Sequence, residues 1–109
     1  MAIAYKVLGQ SSPAATTQTT LYTAPSATST VVSTITVANT NGTAVTVRIA
    51  VQPAGATLAA QHYIAYGVSI PANTTTALTL GITLATTDVV SVYASTTGVS
   101  FSAFGSEIS

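Results

Sequence analysis

Between Ser29 and Val51 the chain reads STVVSTITVANTNGTAVTVRIAV, two runs with alternating side chains that meet at Asn41-Gly42. Val31, Ser33, Ile35 and Val37 alternate with Val32, Thr34, Thr36 and Ala38, and beyond the break Val45, Val47, Ile49 and Val51 alternate with Thr46, Arg48, Ala50 and Gln52. A period of two sends successive side chains to opposite faces of an extended chain, so both runs read as half-buried strands. If they pair directly as a hairpin, opposed residues must share a face. A two-residue Asn41-Gly42 loop opposes odd to even positions. A loop of about three residues, Thr40-Asn41-Gly42 with Gly42 left-handed, instead sets Val37 against Val45 and Ile35 against Val47, and is the expectation for a direct hairpin. In a sandwich the two strands can belong to different sheets, and the parity constraint then lapses.

The same signal recurs along the chain. Met1 to Leu8 alternates Ile3, Tyr5 and Val7 against Ala2, Ala4 and Lys6 and reads as a first strand, while Gly9 to Thr20 is polar, holds Pro13 and reads as a linker. Residues 1–20 therefore have the form of an N-terminal arm and linker that pairs either at home or on a neighbour's sheet. Leu21 to Ala24 is a second strand. Beyond the central pair, Pro53-Ala54-Gly55-Ala56 breaks the pattern and Thr57 to Gln61 suggests a helical turn. His62 to Ile70 places Ile64, Tyr66, Val68 and Ile70 on one face; Thr75 to Leu84 carries Leu78, Leu80, Ile82 and Leu84 in phase, with Gly81 a bulge or bend. Val90, Val92 and Ala94 form the next inward face, and Val99, Phe101 and Ala103 the last. The expectation is one all-β domain over residues 1–109, an antiparallel β-sandwich of jelly-roll or Greek-key type with about eight short strands.

Charge is what this chain lacks. Only Lys6, Arg48, Asp88 and Glu107 are charged, 4% of residues, against about a quarter in an ordinary globular protein. Such a surface has no basic patch for a phosphate backbone or an acidic membrane, so neither nucleic acid nor membrane is an expected partner. No apolar run approaches the roughly 20 residues that span a bilayer, and residues 1–8 lack the apolar segment of a secretory signal. A free β-protein guards its exposed strand edges with lysines, prolines or inward charges. This chain has almost none of these, so neighbouring subunits in a permanent assembly are expected to cover them.

Few residues of the chain are chemically reactive. Many serines accompany His62 and Asp88, but there is no G-x-S-x-G elbow. Asp88 and Glu107 are the only acids for glycosidase chemistry, and nothing in the sequence pairs them. The chain has no cysteine, and its one histidine and two acids lack ligand spacing, so no metal, no cofactor and no catalytic residue are expected and His62 reads as structural. Asn41-Gly42-Thr43 and Asn73-Thr74-Thr75 match the glycosylation pattern but read as turn chemistry. The interface candidates are Lys6, Arg48, Tyr63, Tyr93 and Phe104. Arg48, on the outer face of its strand, is expected to meet Asp88 or Glu107 or to anchor across a subunit contact. Tyr66 and Phe101 fall on the inward register, whereas Tyr63, Tyr93 and Phe104 fall on the other face, available to an interface or a sugar.

At Gln61-His62-Tyr63-Ile64-Ala65-Tyr66 and Phe101-Ser102-Ala103-Phe104-Gly105-Ser106-Glu107-Ile108, with LYTAP at Leu21 to Pro25 and VSTITVAN at Val32 to Asn39, the chain resembles a family of small virion-associated structural proteins of tailed bacteriophages, including cyanophages. The resemblance covers nearly the whole length and rests on turn and packing residues. It implies a non-enzymatic virion component made in the host cytoplasm. Such a component is expected to be a capsid decoration (cement) protein, a homo-oligomer such as a trimer bound to the major capsid protein. The alternatives are a tail, baseplate or fibre adaptor and a carbohydrate-binding module.

Overall fold

The computed structural model describes residues 2–79 and 81–109. Met1 and Leu80, the latter expected in phase with Leu78, lie outside the described residues. Nine strands are present: β1 (Ile3–Ser11), β2 (Thr19–Thr23), β3 (Ser29–Asn39), β4 (Val45–Gln52), β5 (Tyr63–Ile70), β6 (Thr74–Leu78), β7 (Ile82–Leu84), β8 (Val89–Ala94) and β9 (Val99–Ile108). The additional strand arises because the segment from Thr75 to Leu84 is not continuous: Gly81, with φ at +63°, bends it, and β6 and β7 follow one another along the same edge of β3. β1 runs on to Ser11 and β2 begins at Thr19, so the irregular segment between them is shorter than the linker expected over Gly9 to Thr20. The breaks after β4 hold two short 3-10 turns, Pro53–Gly55 and Ala60–His62.

The strands form two antiparallel sheets. One has the order β1-β9-β3-β6 with β7 also on β3, and the other has the order β2-β8-β4-β5. β4 pairs with β5, β3 with β6 and β7, β2 with β8, and β1 with β9. Each strand therefore meets the one about equally far from the β4–β5 turn, as when a long hairpin is folded over itself, and this is the jelly-roll arrangement. The expected antiparallel sandwich is present.

The expected hairpin between the central runs is not. β3 and β4 lie in different sheets, so Val37 does not oppose Val45 and Ile35 does not oppose Val47; their partners are Phe101 and Ala103 across β9 for β3, and Ile70 and Val68 across β5 for β4. Residues 40–44 must instead cross between layers that pack roughly 10 Å apart. Side chains hold that crossing. The buried Asn39 donates from Nδ2 to the carbonyls of Thr43 at 2.9 Å and Pro71 at 3.1 Å, and Asn41 Nδ2 donates to the Thr97 carbonyl at 2.8 Å. Three loops are tied together there, and Gly42 is not in the left-handed region.

Bulges decide which side chains enter the core. In β3 the register against β9 shifts between Val32 and Thr34, so Thr30 and Val32 point inward before it and Ile35, Val37 and Asn39 after it. Ser33, the extra residue, stays exposed and donates to the Phe104 carbonyl at 3.1 Å. Opposite the shift, a Cβ on Gly105 would overlap the Val31 carbonyl oxygen. In β5, Ile64 and Gly67 are extra residues against β4, and Gly67 takes φ at +68°. Each extra residue inverts the phase beyond it. Val68 and Ile70 therefore face the core as expected, while Ile64 and Tyr66 face solvent, contrary to the expectation from alternation. Between the sheets lie Ile35, Val37, Val47, Ile49, Ile70, Val90, Val92, Val99 and Phe101, all fully buried.

Gly105→Ala is expected to cost about 3 kcal/mol, because the clash is with backbone that cannot swing aside. Gly42→Ala, at an open position with ordinary φ, is expected to be neutral or to stabilise by about 0.5 kcal/mol through the unfolded chain. Urea denaturation of the two variants against the parent checks the contrast.

Candidate functional site

Three of the four charged side chains are engaged within the chain. On the inward side of β1 and β9, the Lys6 ammonium lies 2.6 Å from Glu107 Oε1. The other carboxylate oxygen, Oε2, accepts the Tyr22 hydroxyl proton at 2.5 Å, and Thr30 Oγ1 lies 2.8 Å from the same phenol oxygen. Since the single Tyr22 proton goes to Glu107, the Thr30 hydroxyl is the donor in the second bond. This node joins β2 in one sheet to β3, β9 and β1 in the other. Lys6, and then the Tyr22 hydrogen bond, holds the Glu107 carboxyl below its ordinary pKa. Burial, and then the Glu107 hydrogen bond, pushes Tyr22 up to about 12. Asp88 is occupied in the turn before β8, where Oδ1 accepts from the Ala54 amide at 2.8 Å and Oδ2 from the Ala85 amide at 2.9 Å.

Arg48 meets neither acid, contrary to one arm of its expectation. The register places it in β4 directly opposite Tyr66 of β5 on one side and Tyr93 of β8 on the other. Its guanidinium carbon lies 4.4 Å from the Tyr66 ring centre and 4.2 Å from that of Tyr93, so the cation rests between two aromatic rings. Tyr63 packs edge-on against Tyr66, with centroids 4.9 Å apart and planes at 82°. Together with Leu58, Ala59 and Ala60, these two tyrosines line an open concavity of about 530 Å³. His62 has a structural part here: its Nδ1 accepts the Ala59 amide at 3.0 Å and shapes the turn that forms the concavity's wall.

The outer face of the other sheet is open, and it is apolar along β1. Ile3, Tyr5 and Val7 on β1 are 49%, 82% and 49% exposed. Tyr5, Lys6, Val31, Ser33, Phe104, Gly105 and Ser106 line a second concavity, of about 450 Å³. Of the five interface candidates, Arg48, Tyr63 and Tyr93 lie on the outer face of one sheet and Phe104 on the outer face of the other, whereas Lys6 turns inward to Glu107. Alternation missed Tyr66 because of the Gly67 bulge. It found Ile3, Tyr5 and Val7 on one side of their strand without showing that the side was uncovered. Among the described residues, no three His, Cys, Asp or Glu side chains gather to hold a metal ion, and no helix is long and apolar enough to cross a membrane.

The polar node makes stability depend on pH at both extremes. Glu107 is depressed in the folded state, so its contribution is present above the ordinary value of 4.5 and is lost as pH falls towards the folded value. Tyr22 is raised, so its contribution is present below 10 and is lost as pH climbs to about 12. Glu107→Gln is expected to flatten the acid limb of a urea-midpoint profile. Tyr22→Phe is expected to flatten the alkaline limb.

No protein-family model matches the chain, and no curated protein matches it. Among solved structures, the chain is similar to one in the structure of infectious bursal disease virus, Gx strain, with 16% identity and a TM-score of 0.52. The match covers 97% of this chain and 31% of the viral one, so the chain spans about a third of the length of that relative. At this identity the likeness is one of fold, and the fold it shares is the antiparallel β-sandwich described above.

Proposed function

We propose that this chain is a non-enzymatic structural component of a virion, a small head-decoration protein of a tailed phage that assembles with copies of itself and docks on the capsid lattice. The observation that carries the reading is β1. It ends its sheet, pairs among the described residues only with β9, and presents Ile3, Tyr5 and Val7 to solvent beside a single charge already engaged by Glu107. An edge of this kind invites pairing with another chain. Covering it, with the neighbouring Phe104 and Val31, removes apolar area from water at about 25 cal/mol per Å². A standard interface of roughly 800 Å² per partner is within reach of this sheet face. A likeness of fold to a chain of a virus structure over nearly the whole length supports the same reading.

Repetition is the mechanism. Each contact is modest, but many identical copies on a closed shell bury their edges together and resist outward pressure as a set. Placement on the tail is the second reading, favoured by the Arg48 and tyrosine face, which a decoration protein held by β1 leaves free.

Copy number in purified particles, with labelled antibody to locate the chain, tests the placement. On the order of hundreds of copies on the head are expected for a symmetric shell, a few at the tail favour the second reading, and absence from particles overturns both. Tyr5→Asp changes a side chain that is 82% exposed, so the fold should survive while self-association is lost by sedimentation. An associated Tyr5→Asp variant would remove β1 from the interface.

A further inference from the structure

We propose that the outer face of the four-stranded sheet is a binding site for an acidic sugar, a pyranose ring that carries a carboxylate. The inference stands on this face alone and does not depend on where the chain sits in a particle. It begins with the charge left over. Glu107 is held by Lys6 and Tyr22, and Asp88 by two backbone amides. With only two acids in the sequence, neither this chain nor a second copy of it has a free side-chain carboxylate for Arg48. Among the described residues the guanidinium has two rings beside it and no acid. An anion that pairs with it would come from a different molecule.

Geometry then narrows the class. Tyr66 and Tyr93 clamp the guanidinium from both sides, so its fork of N–H donors is already oriented, and ordering it costs a ligand little. A planar carboxylate matches that fork with two parallel hydrogen bonds. A phosphate or sulfate would call for further positive charge, and Arg48 is the only cation on this face; Lys6 belongs to the other sheet. Beside the guanidinium, Tyr66 is 62% exposed and meets Tyr63 at 82°, a corner of one ring face and one ring edge. The concavity they line with Leu58, Ala59 and Ala60, about 530 Å³, is mainly apolar and of a size that takes a small ligand. A pyranose has a C–H face that stacks on such a ring and a polar rim that reaches outward. Arg48 does not itself line the concavity, but Tyr66 belongs to both features, so a ring seated in the corner has the guanidinium as the next group beyond Tyr66.

An acidic peptide is less well served. The natural way for a peptide to join this face is as a strand on the edge beside Arg48, which is β5, and β5 is bulged at both Ile64 and Gly67. Bulges break the even spacing of donors and acceptors that strand addition needs.

The experiment is an NMR titration of the full chain with methyl glucuronide, with methyl glucoside as the neutral ring, acetate as the carboxylate without a ring, and a short aspartate-containing peptide. The expected result is saturable shifts of the Arg48 side-chain N–H and the Tyr63 and Tyr66 ring signals with the glucuronide, at least about tenfold tighter than with glucoside or acetate. Arg48→Gln should bring glucuronide and glucoside to the same affinity. Tyr66→Ala should weaken both. Unchanged amide signals of Val37, Val99 and Phe101, in the other sheet, show that each variant is folded. Glucuronide binding no tighter than acetate, or binding by the peptide with none by the glucuronide, overturns the proposal.

Discussion

The ladder between β3 and β9 is the constraint on which the rest of the molecule depends. It runs from Ser29 opposite Ile108 to Asn39 opposite Val99, joining segments some seventy residues apart in the chain. The remaining edge of β9 carries β1, and the remaining edge of β3 carries β6 and β7. The shift at Ser33 sets which half of β3 faces inward, and the close approach of Val31 to Gly105 is possible only because that strand position has no side chain. Such a ladder is non-local, since the loop between its strands must close before any contact in it stabilises the fold. Once formed, it presents one apolar face to the other sheet, and burial between the two faces supplies the main stabilising term.

Electrostatics in this protein is a matter of a few charges, each with a distinct position. The Lys6, Glu107, Tyr22 and Thr30 node sits where β1 and β9 pass β2, and it ties the two sheets by hydrogen bonds. Asp88 fastens the β7–β8 turn to the loop after β4. Arg48 alone is satisfied by aromatic faces rather than by an opposite charge. A surface with so little charge relies on serine and threonine hydroxyls for solvation, which leaves the β1 edge without the usual guard against pairing.

The two outer faces therefore differ in kind. That of the five-stranded sheet is open, with Ile3, Tyr5 and Val7 exposed along β1. That of the four-stranded sheet is a compact aromatic corner beside a cation held between two rings. Because the faces lie on opposite layers, occupation of one leaves the other open.

Alternation in the sequence determined the fold class and much of the core: Val90, Val92 and Ala94 in β8, and Val99, Phe101 and Ala103 in β9, point inward as their period of two requires. These stretches were legible because no bulge interrupts their inward faces. The scarcity of charge was legible too, since it is a property of composition. Which sheet each strand joins was not. β3 and β4 alternate equally well as a hairpin or as members of separate layers, and only the competition of β9, β5 and β8 for their edges decides. Bulges were equally hidden, because an extra residue is extra only with respect to a partner strand. Hence Tyr66 read as core from its own strand and became surface once Gly67 was set against β4. The stack of Arg48 between Tyr66 and Tyr93 depends on two registers at once, and no local pattern carries that information. Period and charge are properties of the chain itself; register and exposure belong to pairs of strands, and exist only after the sandwich has closed.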